Sequence, residues 1–180
     1  MSEIILFNKP YGVICQFSAH GKYPALKKYI PIRDVYAAGR LDTDSEGLLI
    51  LSADGTLQHR ISDPKHKFRK TYWVQVEGIA TMDALQQLEQ GIDLGDFITA
   101  PAHARPTTEP SALWPRNPPI RFRKAIPTSW LELAITEGKN RQVRRMTAKV
   151  GLPTLRLIRY RIGDWTLDGL APGEWRQITI

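Results

Sequence analysis

Val35-Tyr36-Ala37-Ala38-Gly39-Arg40-Leu41-Asp42-Thr43-Asp44-Ser45-Glu46-Gly47-Leu48-Leu49-Ile50-Leu51 decides how this 180-residue chain is read. Two short apolar segments, 35–38 and 48–51, flank a polar loop bracketed by Gly39 and Gly47. Apolar runs of this length between turn residues read as strands. Strand therefore follows strand through a turn, with three acidic residues and an arginine on the turn. Loops held by rigid strands are where reactive groups tend to sit. Capping and turn chemistry account for Asp44 and Glu46; for Asp42, turn chemistry and catalysis both stay open.

The pattern continues on both sides. The run 4–7 reads as a buried strand closed by Asn8-Lys9-Pro10-Tyr11-Gly12, which has turn chemistry. A short helix is expected over 25–30, stopped by Pro31. Asp54-Gly55 ends the strand 48–51, and a polar helix follows at 56–61. Segment 70–77 alternates, with Tyr72, Val74 and Val76 on one face. The best-marked helix comes next: Thr81 caps it, Asp83 lies in its first turn, Ala84, Leu85 and Leu88 form its stripe, and Gly91 closes it. Six prolines in 106–127, among Arg116, Arg121, Arg123 and Lys124, predict a long surface loop or arm. Strands at 130–135, 154–161 and 175–180 and a helix at about 140–150 complete the chain. Without regular βαβα alternation, the expected class is α+β. The expected fold is a mixed, mostly antiparallel central sheet with flanking helices. The length fits one domain or two small lobes around one core.

Composition narrows the function. Hydrophobic residues make up 42% of the chain, enough for a packed core, and no run is long enough for a membrane span. The N-terminus does not resemble a signal peptide, and Cys15 has no disulfide partner within the chain, which fits a reducing cytoplasm. The net charge of +7 suggests an anionic partner, of which nucleic acid is the commonest. Its placement is more telling. In the 140–150 helix, Val143, Met146 and Val150 face inward while Arg141, Arg145 and Lys149 share the opposite side. A face of one sign costs repulsion, and phosphate binding would offset it. Arg144 lies at the border of the two faces, placed either for a structural ion pair or to reach into a cleft. Arg156 and Arg159, with Tyr160 nearby, suit RNA contact or a protected edge strand. His20, His59, His66 and His103 have no ligand-like spacing to each other or to Cys15, so no metal site is expected. No P-loop and no G-x-S-x-G elbow occurs, which leaves a carboxylate as the best available nucleophile or base.

Several segments together resemble one family: Phe7-Asn8-Lys9-Pro10-Tyr11-Gly12-Val13; Tyr36-Ala37-Ala38-Gly39-Arg40-Leu41-Asp42 with Ser45 and Gly47-Leu48-Leu49; Lys70-Thr71-Tyr72; and Glu137-Gly138-Lys139-Asn140-Arg141-Gln142-Val143-Arg144-Arg145-Met146. The chain resembles the bacterial ribosomal RNA pseudouridine synthases of the RsuA/RluB/RluE/RluF group over nearly its whole length. Segments 114–121 and 126–131 point to the members acting on the large ribosomal subunit. The resemblance implies the pseudouridine synthase fold with a catalytic cleft. It makes 1–180 the catalytic domain, without the S4-like RNA-binding module of many relatives. It implies Asp42 as the catalytic residue, Tyr72 stacking on the target base and Arg144 paired with the catalytic carboxylate. Leu157 is implied beneath the site, with Arg40 supporting it. It further implies ribosomal RNA as partner, no cofactor, no metal, a monomer and a cytoplasmic location.

The residues suit that chemistry. Pseudouridine formation breaks C1′–N1 and forms C1′–C5, oxidising nothing and adding no water, so one carboxylate suffices where glycosidases use two. Two rival readings remain. A non-catalytic RNA-binding module explains the charge but gives Asp42 no task. A hydrolase with an Asp nucleophile needs a second acid or base.

Overall fold

The N-terminal apolar run forms β1 (Glu3–Lys9), and the strands flanking the 39–47 loop are β2 (Tyr36–Ala37) and β3 (Glu46–Ser52). β1 and β3 pair antiparallel, with Phe7 opposite Leu49 and Lys9 opposite Gly47. β2 folds back on β3, Tyr36 opposite Ser52. The helix expected over 25–30 contracts to one 3-10 turn, Leu26–Lys28. Pro24 and Pro31 bracket too few residues to offset the nucleation cost of an α-helix. α1 (Gly55–Ser62) follows, capped by Asp54, whose carboxylate accepts from Leu57 N at 3.1 Å.

β4 (Lys70–Glu77) leads to α2 (Met82–Gln90), where Thr81 Oγ1 accepts from Ala84 N at 3.2 Å and Gly91 closes at φ +101°. β5 (His103–Thr107) was not expected, because it contains Pro106. It is an edge strand, paired only with β6 (Thr128–Ile135), and an edge tolerates the donor that proline lacks. The remaining elements are α3 (Gln142–Lys149), β7 (Thr154–Ile162), β8 (Trp165–Thr166) and β9 (Trp175–Thr179).

The computed structural model describes residues 1–180 and divides into two units. The first comprises Met1–Phe68 and Arg159–Ile180, the second Arg69–Ile158. β7 thus gives its residues through Ile158 to the second unit and the rest to the first. In the first unit β1 lies between β3 and β9, and one core contains Ile5, Phe7, Leu49 and Leu51 together with Val13, Leu26 and Leu41. In the second unit β6 lies between β5 and β4. Its core joins Tyr72, Val74 and Val76 to Leu85 and Leu88 of α2, Val143 and Met146 of α3, and Leu157. The pairings β1–β3, β1–β9, β2–β3, β4–β6, β5–β6 and β7–β8 are antiparallel, and Ile14–Ala25 is an isolated parallel bridge. This is the expected α+β class with a mixed, mostly antiparallel sheet. No helix is long and apolar enough to cross a membrane.

Candidate active site

Asp42 is half-buried on the loop between β2 and β3. Two backbone carbonyls and one buried side chain fix it. Its own carbonyl accepts from Ser45 N at 3.0 Å, tightening the turn. The next carbonyl, Thr43 O, accepts from Gly12 N at 2.8 Å and from Lys9 Nζ at 3.5 Å. Leu41, the preceding residue, is buried in the first unit's core. Burying a leucine contributes about 1.5–3 kcal/mol, so the loop cannot lift without losing that.

Lys9 is the first residue whose role the sequence reading missed. The β1–β3 register sets it opposite Gly47, with no exposed surface. Its ammonium donates to Val13 O at 2.7 Å and Pro10 O at 3.0 Å as well as to Thr43 O. It therefore ties the 10–13 turn to the Asp42 loop. Burial lowers its pKa from 10.5 to about 8, against the opposing pull of Cys15, Glu46 and Asp44. Glu46, expected only to serve the turn, is itself buried as the first residue of β3. The signal available in the sequence was a lysine ending an apolar strand, directly before Pro-Tyr-Gly.

The lowered value has a sign that can be tested. Folded Lys9 loses its proton near pH 8, whereas the unfolded chain keeps it to about 10.5. The unfolded state holds more protons in that window, so Lys9's contribution to stability rises with pH. The rise is about 3 kcal/mol if the whole shift is expressed. Urea unfolding of the wild type and of Lys9→Met at pH 7.5, 9 and 10 should show a stability difference that widens in favour of the wild type. Parallel curves would remove the buried charge from this account.

Arg159 is the second anchor and a correction. Expected on RNA, it is 4% exposed, and its guanidinium donates to Leu48 O at 2.8 Å and Arg40 O at 3.3 Å. It clamps both ends of the Asp42 loop from within. Arg40 takes part through its carbonyl, while its side chain is exposed. Arg156 is likewise buried: it donates to Trp114 O at 2.9 Å and stacks on that indole at 5.8 Å. β7 is covered on both faces through this stretch, so its arginines meet carbonyls rather than solvent.

The second unit contains Tyr72, Arg144 and Leu157. Tyr72 and Leu157 are both buried in that unit's core. α3 begins with Arg141 in the left-handed conformation at φ 53°. Buried Gln142 holds the turn before it, accepting from Lys139 N at 3.2 Å and donating to Glu137 Oε1 at 2.9 Å. That same carboxylate oxygen accepts from Ala100 N at 2.9 Å. Arg141, Arg144, Arg145, Lys139, Asn140, Ala148 and Asp96 then line a pocket of about 600 Å³. Arg145 is ion-paired with Asp96, donates to Leu94 O at 3.2 Å and stacks on Phe97. Lys149 is exposed on the same helix but does not line the pocket. Lys139 and Asn140 were read only as part of a motif; the turn held by Gln142 places them beside the arginines.

The proline-rich arm is docked on its own unit. Arg116 donates to Leu155 O at 3.1 Å and Pro118 O at 2.8 Å, and Arg121 and Arg123 converge on buried Glu77. Phe122 between them is exposed.

A family model described as RNA pseudouridylate synthase matches residues 3–149. The chain is 59% identical over 171 residues to "Ribosomal large subunit pseudouridine synthase E" of Xanthomonas axonopodis pv. citri (strain 306), covering 94% of this chain and 90% of that protein. It is 54% identical over 178 residues to the protein of the same name from Vibrio vulnificus (strain CMCP6), covering 99% of this chain and 76% of the relative. Among solved structures, "Crystal structure of pseudouridylate synthase" matches at TM-score 0.79 and 30% identity, over 99% of this chain and 71% of that one. A non-catalytic module is thereby set aside: the chain belongs to the RNA pseudouridylate synthase family and is an RNA pseudouridine synthase.

Proposed function

We propose that this protein converts one uridine of 23S ribosomal RNA to pseudouridine, with Asp42 as the catalytic carboxylate acting on a flipped-out base. The observation that carries the chemistry is the clamped loop. Half-buried Asp42 stands on a loop whose backbone carbonyls are bound by two buried side chains, Lys9 at Thr43 O and Arg159 at Arg40 O and Leu48 O. The names of the relatives support ribosomal RNA of the large subunit as the substrate.

In this reading the RNA offers its target base out of the stack. Tyr72 stacks on the uracil, a contact worth about 1–3 kcal/mol. Asp42 acts as nucleophile or base while C1′–N1 breaks and uracil leaves as a stabilised anion. The base turns, C5 bonds to C1′, the hydrogen on C5 departs as a proton and N1 takes one up, so the product is an isomer of the substrate. Leu157 packs beneath the site and Arg40 supports its loop. Arg144 pairs with Asp42 and orients its carboxylate toward the sugar. Arg141, Arg145 and Lys149 take RNA phosphates, with the pocket on α3 as the centre of that surface.

Tritium release from ribosomal RNA labelled at uracil C5 tests the function, because C5 loses its hydrogen only when a new bond forms there. Release by the wild type on naked 23S RNA or on ribosomal particles is expected; none on either substrate would overturn the reading. Arg144→Ala should lower turnover about 100-fold or more, through misplacement of Asp42. Near-normal turnover by that variant would remove Arg144 from the site.

A further inference from the structure

The sequence offers no ligand-like spacing among its histidines, yet the fold gathers three metal-ligating side chains to which no role is assigned above. α1 ends at Ser62, and Asp63 is both its C-cap and the N-cap of the 3-10 turn Pro64–His66. Asp63 Oδ1 accepts from Lys65 N at 2.9 Å, which fixes the carboxylate. The other oxygen, Oδ2, faces His59 Nε2 at 3.5 Å. His66 closes the 3-10 turn, and its ring meets that of His59 edge-on, centroids 6.4 Å apart. One ligand atom from each of His59, Asp63 and His66 lies within 4.8 Å of the other two.

We propose that His59, Asp63 and His66 form a surface site for a divalent transition-metal ion of borderline softness, with Zn²⁺ as the test ion. Two imidazole nitrogens and one carboxylate are a donor set that such ions favour. Bonds of about 2.0–2.2 Å to a shared ion place ligand atoms roughly 3–3.5 Å apart. The His59–Asp63 pair already meets that distance, and His66, being exposed, reaches it by a side-chain rotation. Three protein ligands leave the remaining positions to water. Arg60, Lys65 and Lys67 close by in sequence keep the affinity moderate by repulsion.

The site's placement gives the ion a consequence. A Cβ on Gly39 would lie 3.7 Å from Ser62 Cβ, so the residue that opens the Asp42 loop packs against the residue before Asp63. A bound ion ties the last turn of α1 to the 3-10 turn and stiffens the support behind that loop.

The test uses the full chain without a polyhistidine tag, titrated with Zn²⁺ by calorimetry. One ion per chain is expected, with Kd on the order of 10 µM. The double variant His59→Gln/His66→Gln should bind at least about 30-fold more weakly, whereas His20→Gln/His103→Gln should bind as the wild type does. Saturating Zn²⁺ should raise the melting temperature of the wild type and not that of the first double variant. His59 and His66 are exposed, so both proteins should melt alike without metal; the single variant His66→Gln gives the same comparison if the double variant does not. Absence of Zn²⁺ binding by the wild type, or binding that survives loss of both histidines, overturns the proposal. Neither result bears on uridine isomerisation.

Discussion

Asp42→Asn is expected to abolish tritium release, by at least about 1,000-fold, while RNA binding stays intact. The magnitude follows from the role. A positioned base contributes about 10²–10⁴ in rate, and loss of a nucleophile costs more. The substitution is nearly isosteric, and the loop offers backbone groups to the contacts described above. Ser45 N binds Asp42 O, Gly12 N and Lys9 bind Thr43 O, and Arg159 binds Arg40 O and Leu48 O. None of these needs the carboxylate, so the fold and the RNA surface should survive. Removing a negative charge should, if anything, tighten binding to a polyanion. Retained turnover in the variant would transfer catalysis to another residue. Joint loss of affinity and turnover would make Asp42 a structural residue.

Gly47→Ala should give the largest loss of stability. Gly47 sits at φ +110°, and a Cβ there would lie 2.4 Å from Arg159 O, 2.7 Å from Arg159 N and 3.0 Å from Arg159 C. These are backbone atoms of β7, so no side-chain rotation relieves the clash. The left-handed conformation alone costs an alanine about 1–2 kcal/mol. Displacing a buried strand adds more, for a total of about 3 kcal/mol or above. In a chain of this length that lowers the melting temperature by about 10 °C. Activity should fall further than stability, because the backbone that must shift belongs to Arg159, whose guanidinium holds both ends of the Asp42 loop. Gly55→Ala is the control with the opposite sign. Gly55 opens α1, and nothing lies within 4 Å of the Cβ it lacks, so alanine should stabilise by about 0.4–1 kcal/mol. Equal behaviour of the two variants would show that the close approach at Gly47 is unimportant.

The two glycines also mark where local reading stops. Both bracket or open an element, and sequence spacing treats them alike. What separates them is Arg159, more than a hundred residues further along the chain.

The sequence by itself determined whatever depends on neighbours a few residues apart. The period-2 pattern of 70–77 placed Tyr72, Val74 and Val76 on one core-facing side, and β4 does so. The capping residues of α2 bounded it to within a residue, because Thr81 satisfies an amide of the first turn and Gly91 takes the positive-φ backbone on which the helix ends. The motif around Asp42 was legible as a loop between strands, and that is its structure. Only the tertiary structure decided which charges are buried. Lys9, Arg156 and Arg159 look like solvent or phosphate contacts in a basic chain, yet each spends its donors on carbonyls within the protein. For Arg159 that carbonyl lies 111 residues away. Its position next to Arg159 is set by strand register, and register is a property of the sheet, not of any local window. The same holds for Pro106, acceptable in β5 only because that strand is an edge. It holds as well for His59, Asp63 and His66, whose convergence depends on how one helix ends and the next turn begins.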